Sequence, residues 1–245
     1  MPKFFIPMED VQGDFLVIRE DAHHILHVLR KEQGDRITVC DGQGQDYACE
    51  IFSAAAGEIK CRILKRYPCQ AEPAVAITIF QGLPKAEKME WILQKGVEIG
   101  VCGFVPVMTE RSVVKLEQKK AEGKRMRWSK IAESAAKQSG RGVLPQVYPV
   151  ASLKESIKTF DNYDLVLVLY EETKDQSLKK ILRGMKERPQ RIAVWIGPEG
   201  GWAPEEIETL RRAGAVTAGL GPRILRTETA GMAAAALILY EYDQM

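Results

Sequence analysis

Several common signatures are missing from this chain. Its five cysteines (Cys40, Cys49, Cys61, Cys69, Cys102) are odd in number and form no C-x-x-C pair. Reduced, buried thiols in a cytoplasmic protein are therefore expected, rather than a disulfide framework. No apolar run approaches the length that spans a bilayer. The opening Met1-Pro-Lys-Phe-Phe-Ile-Pro has neither the apolar stretch nor the small-residue cleavage site of a signal peptide. Neither G-x-G-x-x-G nor a P-loop occurs, and Gly42-Gln43-Gly44 falls in a hairpin signal, where it reads as a turn. Histidine is scarce: His23, His24 and His27 are the only three. His23 and His27 stand one helical turn apart, but no neighbouring Cys, Asp or Glu completes a ligand set, so no metal is expected. Internal repeats and low-complexity tracts are absent as well.

What is present suits one large globular domain or two ordinary ones: 245 residues, 45% hydrophobic and 28% charged. The net charge of +2 is unevenly spread. From Arg111 to Arg141 there are ten Lys or Arg (Arg111, Lys115, Lys119, Lys120, Lys124, Arg125, Arg127, Lys130, Lys137, Arg141) against three Glu, a balance of +7 that leaves −5 for the rest. Such a run can be a solvated helix face. Its size points at least as strongly to a phosphate-backbone partner.

Up to about Gln70 the pattern is of short strands: Phe15–Ile18, two alternating runs in Arg36–Phe52 joined around Asp41-Gly42, and Ile59–Leu64. One helix, "DAHHILHVLR", interrupts them, with Asp21 as its cap and Ile25, Val28 and Leu29 on its apolar side. This predicts a small barrel-like β domain over residues 1–70. Two prolines in Tyr67–Pro73 mark a linker. Over 71–245, buried Val/Ile/Leu-rich strands alternate with helices, which predicts an α/β domain with a parallel sheet.

Ligands of such sheets bind in the loops beyond the carboxyl ends of the strands. Three of these loops have unusual compositions. One follows Leu169, as Tyr170-Glu171-Glu172; the second is Gly197-Pro198-Glu199-Gly200-Gly201; the third is "LGPRILRTETA", Leu220–Ala230. A helix start at Pro204, with Glu205 and Glu206 in its first turn, accounts for the end of the second loop but not for its glycines or Glu199. Glycines at a loop let the backbone approach a ligand closely. The third loop carries Arg223, Arg226 and Glu228 into an alanine-rich helix whose uncharged Thr229–Tyr240 stretch is too short for a membrane and reads as a packed interface.

"IGPEGGW", "LGPRILRTETA", "RWSKIAESAAKQSGR" and "HHILHVLR" together resemble the ribosomal RNA small-subunit methyltransferase E family of the SPOUT superfamily, over nearly the whole chain. The resemblance implies a PUA-like RNA-binding N-terminal β-barrel domain and a C-terminal SPOUT α/β domain with a trefoil knot. It also implies a homodimer, S-adenosyl-L-methionine as methyl donor, and N3 of one uridine in 16S rRNA of the small ribosomal subunit as acceptor. In such families the three loops wrap the donor, largely through backbone groups. On that likeness Leu169, Gly197, Pro198, Glu199, Gly200, Gly201, Leu220, Gly221, Ile224, Leu225, Arg226, Thr229 and Ala230 are the expected donor-binding residues. One departure is Ala203, where a helix-capping Ser is expected.

Methyl transfer from a sulfonium needs positioning and support for charge in the transition state. Arg226 is the candidate to stabilise the uracil oxygens, and Glu199 or Glu228 the candidate to orient donor or base or to accept the N3 proton. Arg30, Arg111, Lys124, Arg127, Lys130 and Arg141 are the candidate RNA contacts. Two other readings remain open: a non-catalytic RNA-binding or ribosome-assembly module, and a related methyltransferase acting on a ribose hydroxyl or another base nitrogen.

Overall fold

A computed structural model describes residues 3–55, 57–112 and 118–245. Met1, Pro2, Lys115 and the side chain of Lys119 lie outside the described residues. The chain divides into two compact units: Met1–Glu72 with Ala136–Leu144, and Pro73–Ala135 with Pro145–Met245. The sequence places one boundary at residues 70/71; the structure adds the distant segment 136–144 to the first unit.

The first unit is a curled six-stranded sheet. Its strands are β1 (Lys3–Phe5), β2 (Val11–Gln12), β3 (Phe15–Ile18), β4 (Arg36–Cys40), β5 (Gln45–Ala55) and β6 (Glu58–Pro68), in the order β1-β4-β5-β6-β3-β2. Alternation buries one face: Leu16, Ile18, Ile37, Val39, Cys49, Ile51, Ile59 and Cys61 share a core with Ile25. Burial pushes the thiols of Cys40, Cys49 and Cys61 up to about 12, which makes them poor nucleophiles. The expected helix is a π-helical turn, His24–Val28, and Asp21 does not cap it. Its carboxylate instead receives Lys137 Nζ at 2.9 Å, and Val28 is exposed.

Segment 136–144 is held to the first unit by Glu72. The Glu72 carboxylate accepts two bonds from Arg141, both 2.8 Å, and the backbone N–H groups of Gly142 and Val143 at 2.7 and 3.1 Å. Burial opposes its ionisation, but the Arg141 guanidinium and these amides outweigh that and hold the carboxyl below its ordinary range.

The second unit contains β7 (Ala76–Gly82), α1 (Lys88–Ile99), β8 (Gly103–Met108), most of α2 (Gln118–Ser139), β9 (Gln146–Val147), β10 (Ala151–Ser152), α3 (Leu153–Ile157), β11 (Leu165–Leu169), α4 (Leu178–Gly184), β12 (Arg191–Ile196), α5 (Pro204–Arg212), β13 (Val216–Ala218) and α6 (Thr227–Glu241). Its sheet is parallel at every pairing, ordered β10-β8-β7-β12-β11-β13 with β9 beside β8. All five residues of β11 are buried, as a strand covered on both faces requires. On one face Phe80 stacks on Trp195 at 4.4 Å within a cluster that includes Phe160, Trp202, Ile207 and Leu210. Elsewhere α6 packs on α1 and β12.

Candidate active site

The carboxyl ends of β7, β12 and β11 converge, and the loops leaving β11, β12 and β13 surround a cavity of about 870 Å³. That volume is in the range of sites for small molecules. Each expected ligand-binding residue lines it except Thr229, which is exposed on the first turn of α6. The lining adds Glu171, from the loop that the sequence singled out after Leu169, and Lys88 and Thr173, neither of which carried a recognisable signal in the sequence.

Several bonds fix the walls. Trp202 Nε1 donates to the carbonyl of Leu169 at 3.1 Å, tying the second loop to the end of β11. Pro198 lies so close to β7 that a Cβ on Gly82 would stand 2.7 Å from its Cδ and 2.8 Å from its nitrogen. Gly200 is less tightly restricted: a Cβ there would be 3.1 Å from Arg111 Cβ, and its carbonyl accepts a 3.0 Å bond from Arg111. The missing Ser at residue 203 is partly offset, because Glu206 reaches back to the Ala203 N–H at 3.1 Å while accepting the Glu110 N–H at 2.8 Å.

The charged groups are arranged around Lys88. Its Nζ lies 3.0 Å from Glu199 Oε1 and 3.5 Å from Glu228 Oε2. Glu199 also accepts the Lys85 N–H at 3.0 Å. Burial opposes ionisation of Glu199, but its own backbone N–H, Lys88 and Lys85 together hold the carboxyl below its ordinary value. Glu228 does not line the cavity; its Oε2 is buried and, beyond the 3.5 Å approach of Lys88, has no hydrogen bond among the described residues. The guanidinium of Arg226 is exposed at the rim and makes no hydrogen bond or ion pair with the described residues. Thr173 Oγ1, on a residue of the cavity wall, is buried with no partner. The cavity thus offers, among the described residues, an uncommitted guanidinium beside a glycine-rich backbone.

The candidate RNA contacts are scattered. Lys124, Arg127 and Lys130 lie at helical spacing on an exposed face of α2, with Arg127 bonded to Glu90 at 2.9 Å. Arg111 is exposed and holds Gly200, while Arg30 is exposed just after the π-helical turn. Arg141 does not suit that role: its side chain is 3% exposed and bound to Glu72. The basic run therefore contains a structural arginine as well as a solvated face. Among the described residues no group of three His, Cys, Asp or Glu could hold a metal ion, and all five cysteines are free.

A parallel sheet with a cavity among its strand-end loops forms one unit of the chain and a curled β sheet the other, and each overlaps the match of a different family model. Residues 71–239 match the model of an RNA methyltransferase domain, and residues 17–64 match that of an RNA methyltransferase PUA domain. The Bacillus subtilis ribosomal RNA small subunit methyltransferase E is 38% identical, over 99% of this chain and 98% of the relative. The corresponding Mycobacterium bovis protein is 30% identical over 93% of this chain and 86% of its own length. The crystal structure of the Neisseria gonorrhoeae methyltransferase E, bound to S-adenosyl methionine, superposes with a TM-score of 0.85 at 30% identity, covering 98% of each chain. The chain belongs to the ribosomal RNA small subunit methyltransferase E family.

Proposed function

We propose that this protein transfers a methyl group from S-adenosyl-L-methionine to N3 of one uridine in 16S rRNA of the small ribosomal subunit, working in the cytoplasm as a homodimer. The observation that carries this reading is the three-loop cavity with Arg226 at its rim. The residues present fit the donor. The cavity is of suitable volume, and the glycine loop lines it with backbone that no side chain screens.

Bound there, S-adenosylmethionine supplies an electrophilic sulfonium methyl. The residues of the Gly197–Gly201 and Leu220–Ala230 loops hold it, and Trp202 keeps the wall formed by Leu169 in place. Arg226, with its guanidinium uncommitted among the described residues, meets the charge that develops on the uracil oxygens as the N3 proton passes to the carboxylate of Glu199 or Glu228. Glu199 and Glu228 orient the rim through Lys88. The exposed face of α2 holds the phosphate backbone through Lys124, Arg127 and Lys130, assisted by Arg30 and Arg111.

Two architectural features belong to the same proposal. Leu237 and Tyr240 project outward from an otherwise apolar α6, which suits burial against a second copy. The chain leaves β13 at the sheet edge, where Gly219 pairs with Ser177, and returns as α6 against β12; this path fits a trefoil knot.

The test is incubation with 16S rRNA, free or in assembled subunits, and labelled donor, followed by mass mapping of the product. A methyl on uridine N3 is expected. A methyl on a ribose oxygen or another base would overturn the acceptor assignment, and no donor binding by calorimetry would overturn the enzymatic reading.

A further inference from the structure

Gln81, the penultimate residue of β7, is fully buried. Its Nε2 donates to Thr227 Oγ1 at 2.8 Å and to the Gly82 carbonyl at 2.9 Å, and lies 3.4 Å from the Gly197 carbonyl. Thr227 Oγ1 donates in turn to the Gly197 carbonyl at 2.6 Å. Three segments therefore meet at one hydroxyl: the end of β7, the first residue of the glycine loop and the first residue of α6. The residue immediately before that hydroxyl is Arg226.

The other end of the amide is unusual. Gln81 Oε1 is buried and has no partner among the described residues. Turning the amide over would not help, because Oε1 would then face two carbonyls and a hydroxyl whose proton is committed to Gly197. A buried acceptor without a donor costs stability, and the bonds that Nε2 makes to Gly82 and Thr227 offset that cost. What the amide adds is a fixed link between the loop and the arginine.

We propose that Gln81 and Thr227 are positioning residues, a buried relay that sets Arg226 and the Gly197–Gly201 loop in register with each other. This rests on the methyl-transfer reading above. A displacement of about 1 Å at a reacting centre is enough to cost about a hundredfold in rate, so a link of this kind acts on catalysis without touching substrate.

The test uses the full chain with Gln81→Met, Thr227→Val and Thr227→Ser, measuring melting temperature, donor affinity by calorimetry and kcat on 16S rRNA. Gln81→Met should stay folded, with a melting temperature lowered by no more than the loss of its amide bonds explains, yet lose about ten- to a hundredfold in kcat, with a smaller loss of donor affinity. Thr227→Val should lose activity similarly, and Thr227→Ser should restore it. In an Arg226→Ala background, adding Thr227→Val should change kcat by about twofold or less, because the group it positions is gone. Wild-type activity in both Gln81→Met and Thr227→Val overturns the relay alone, as does a full additional loss in the Arg226→Ala background. Failure of both variants to fold makes the two residues parts of the core and also overturns it. A wild-type protein that binds no donor overturns the methyl-transfer reading, and the relay falls with it.

Discussion

Lys88 Nζ and Glu199 Oε1 lie 3.0 Å apart, joining the start of α1 to the glycine loop. The pair changes with pH in a defined direction. Glu199 titrates below its usual 4.5, so its contribution is present above that value and lost as pH falls through the folded one. Lys88 titrates above its usual 10.5 because of the bond to Glu199, against some burial, so its contribution is present below 10.5 and lost at higher pH. Lys88→Met should therefore lower the melting temperature between those limits, with the gap from wild type closing on acidification into the carboxylate range. Thermal melts from pH 3 to 8 decide it; a gap independent of pH would mean that the ion pair contributes nothing.

Arg226→Ala should leave the fold unchanged, within about 0.5 kcal/mol, since its guanidinium has no partner among the described residues to strand. Methylation should fall by about two to three powers of ten, the usual loss when one preorganised donor is removed. RNA binding should be nearly unaffected. Single-turnover kinetics at saturating donor check this, and turnover at the wild-type level would assign the charge stabiliser elsewhere.

Gly82→Ala tests the close approach of β7 to the second loop. The new methyl would lie 2.8 Å from the Pro198 nitrogen, which is backbone and must move with its whole loop. Donor affinity should fall by about tenfold or more, although Gly82 is not part of the cavity wall. Calorimetry on a variant with a wild-type circular dichroism spectrum gives the answer. Gly200→Val is the less clean experiment, since it also displaces Arg111.

Lys124→Glu with Lys130→Glu should weaken binding of all RNAs about equally and flatten its dependence on salt, because neutralised phosphates release counterions. Filter binding over a range of salt concentrations measures the slope. The same slope and affinity as wild type would place the RNA on another face.

Arg141→Met should behave differently, as a stability mutation. It leaves the Glu72 carboxylate, 19% exposed, without its guanidinium, at a cost of about 3–5 kcal/mol. Denaturant unfolding should show the loss. Intact stability with impaired RNA binding would return Arg141 to the surface role that its place in the basic run suggested.

The periodic parts of the fold were readable in advance. Phe15–Ile18, Leu165–Leu169 and Arg191–Ile196 occupy the strands that their apolar patterns predict, because burial on one or both faces leaves a direct mark on sequence. β1, β9 and β10 are two or three residues long, too short to establish a period. Asp21 resembled a helix cap, but its partner, Lys137, is 116 residues away and no local pattern reports it. The glycine loop and Arg226 stood out by composition. Lys88, Gln81 and Thr227 did not, since their significance arises only where three strand and helix ends converge.

The Glu72 clamp also has a consequence for synthesis. The sheet strands of the first unit are complete by Pro68, but the carboxylate that finishes the unit waits for Arg141, Gly142 and Val143. As the chain grows from its N-terminus, β7, α1 and β8 must all emerge before those partners do. During that interval Glu72 lacks its guanidinium and amide partners, and residues 136–144 have not yet joined the first unit. Maturation of the N-terminal unit is thus tied to translation well past the middle of the message, which gives the two units a shared timetable although their sheets are separate.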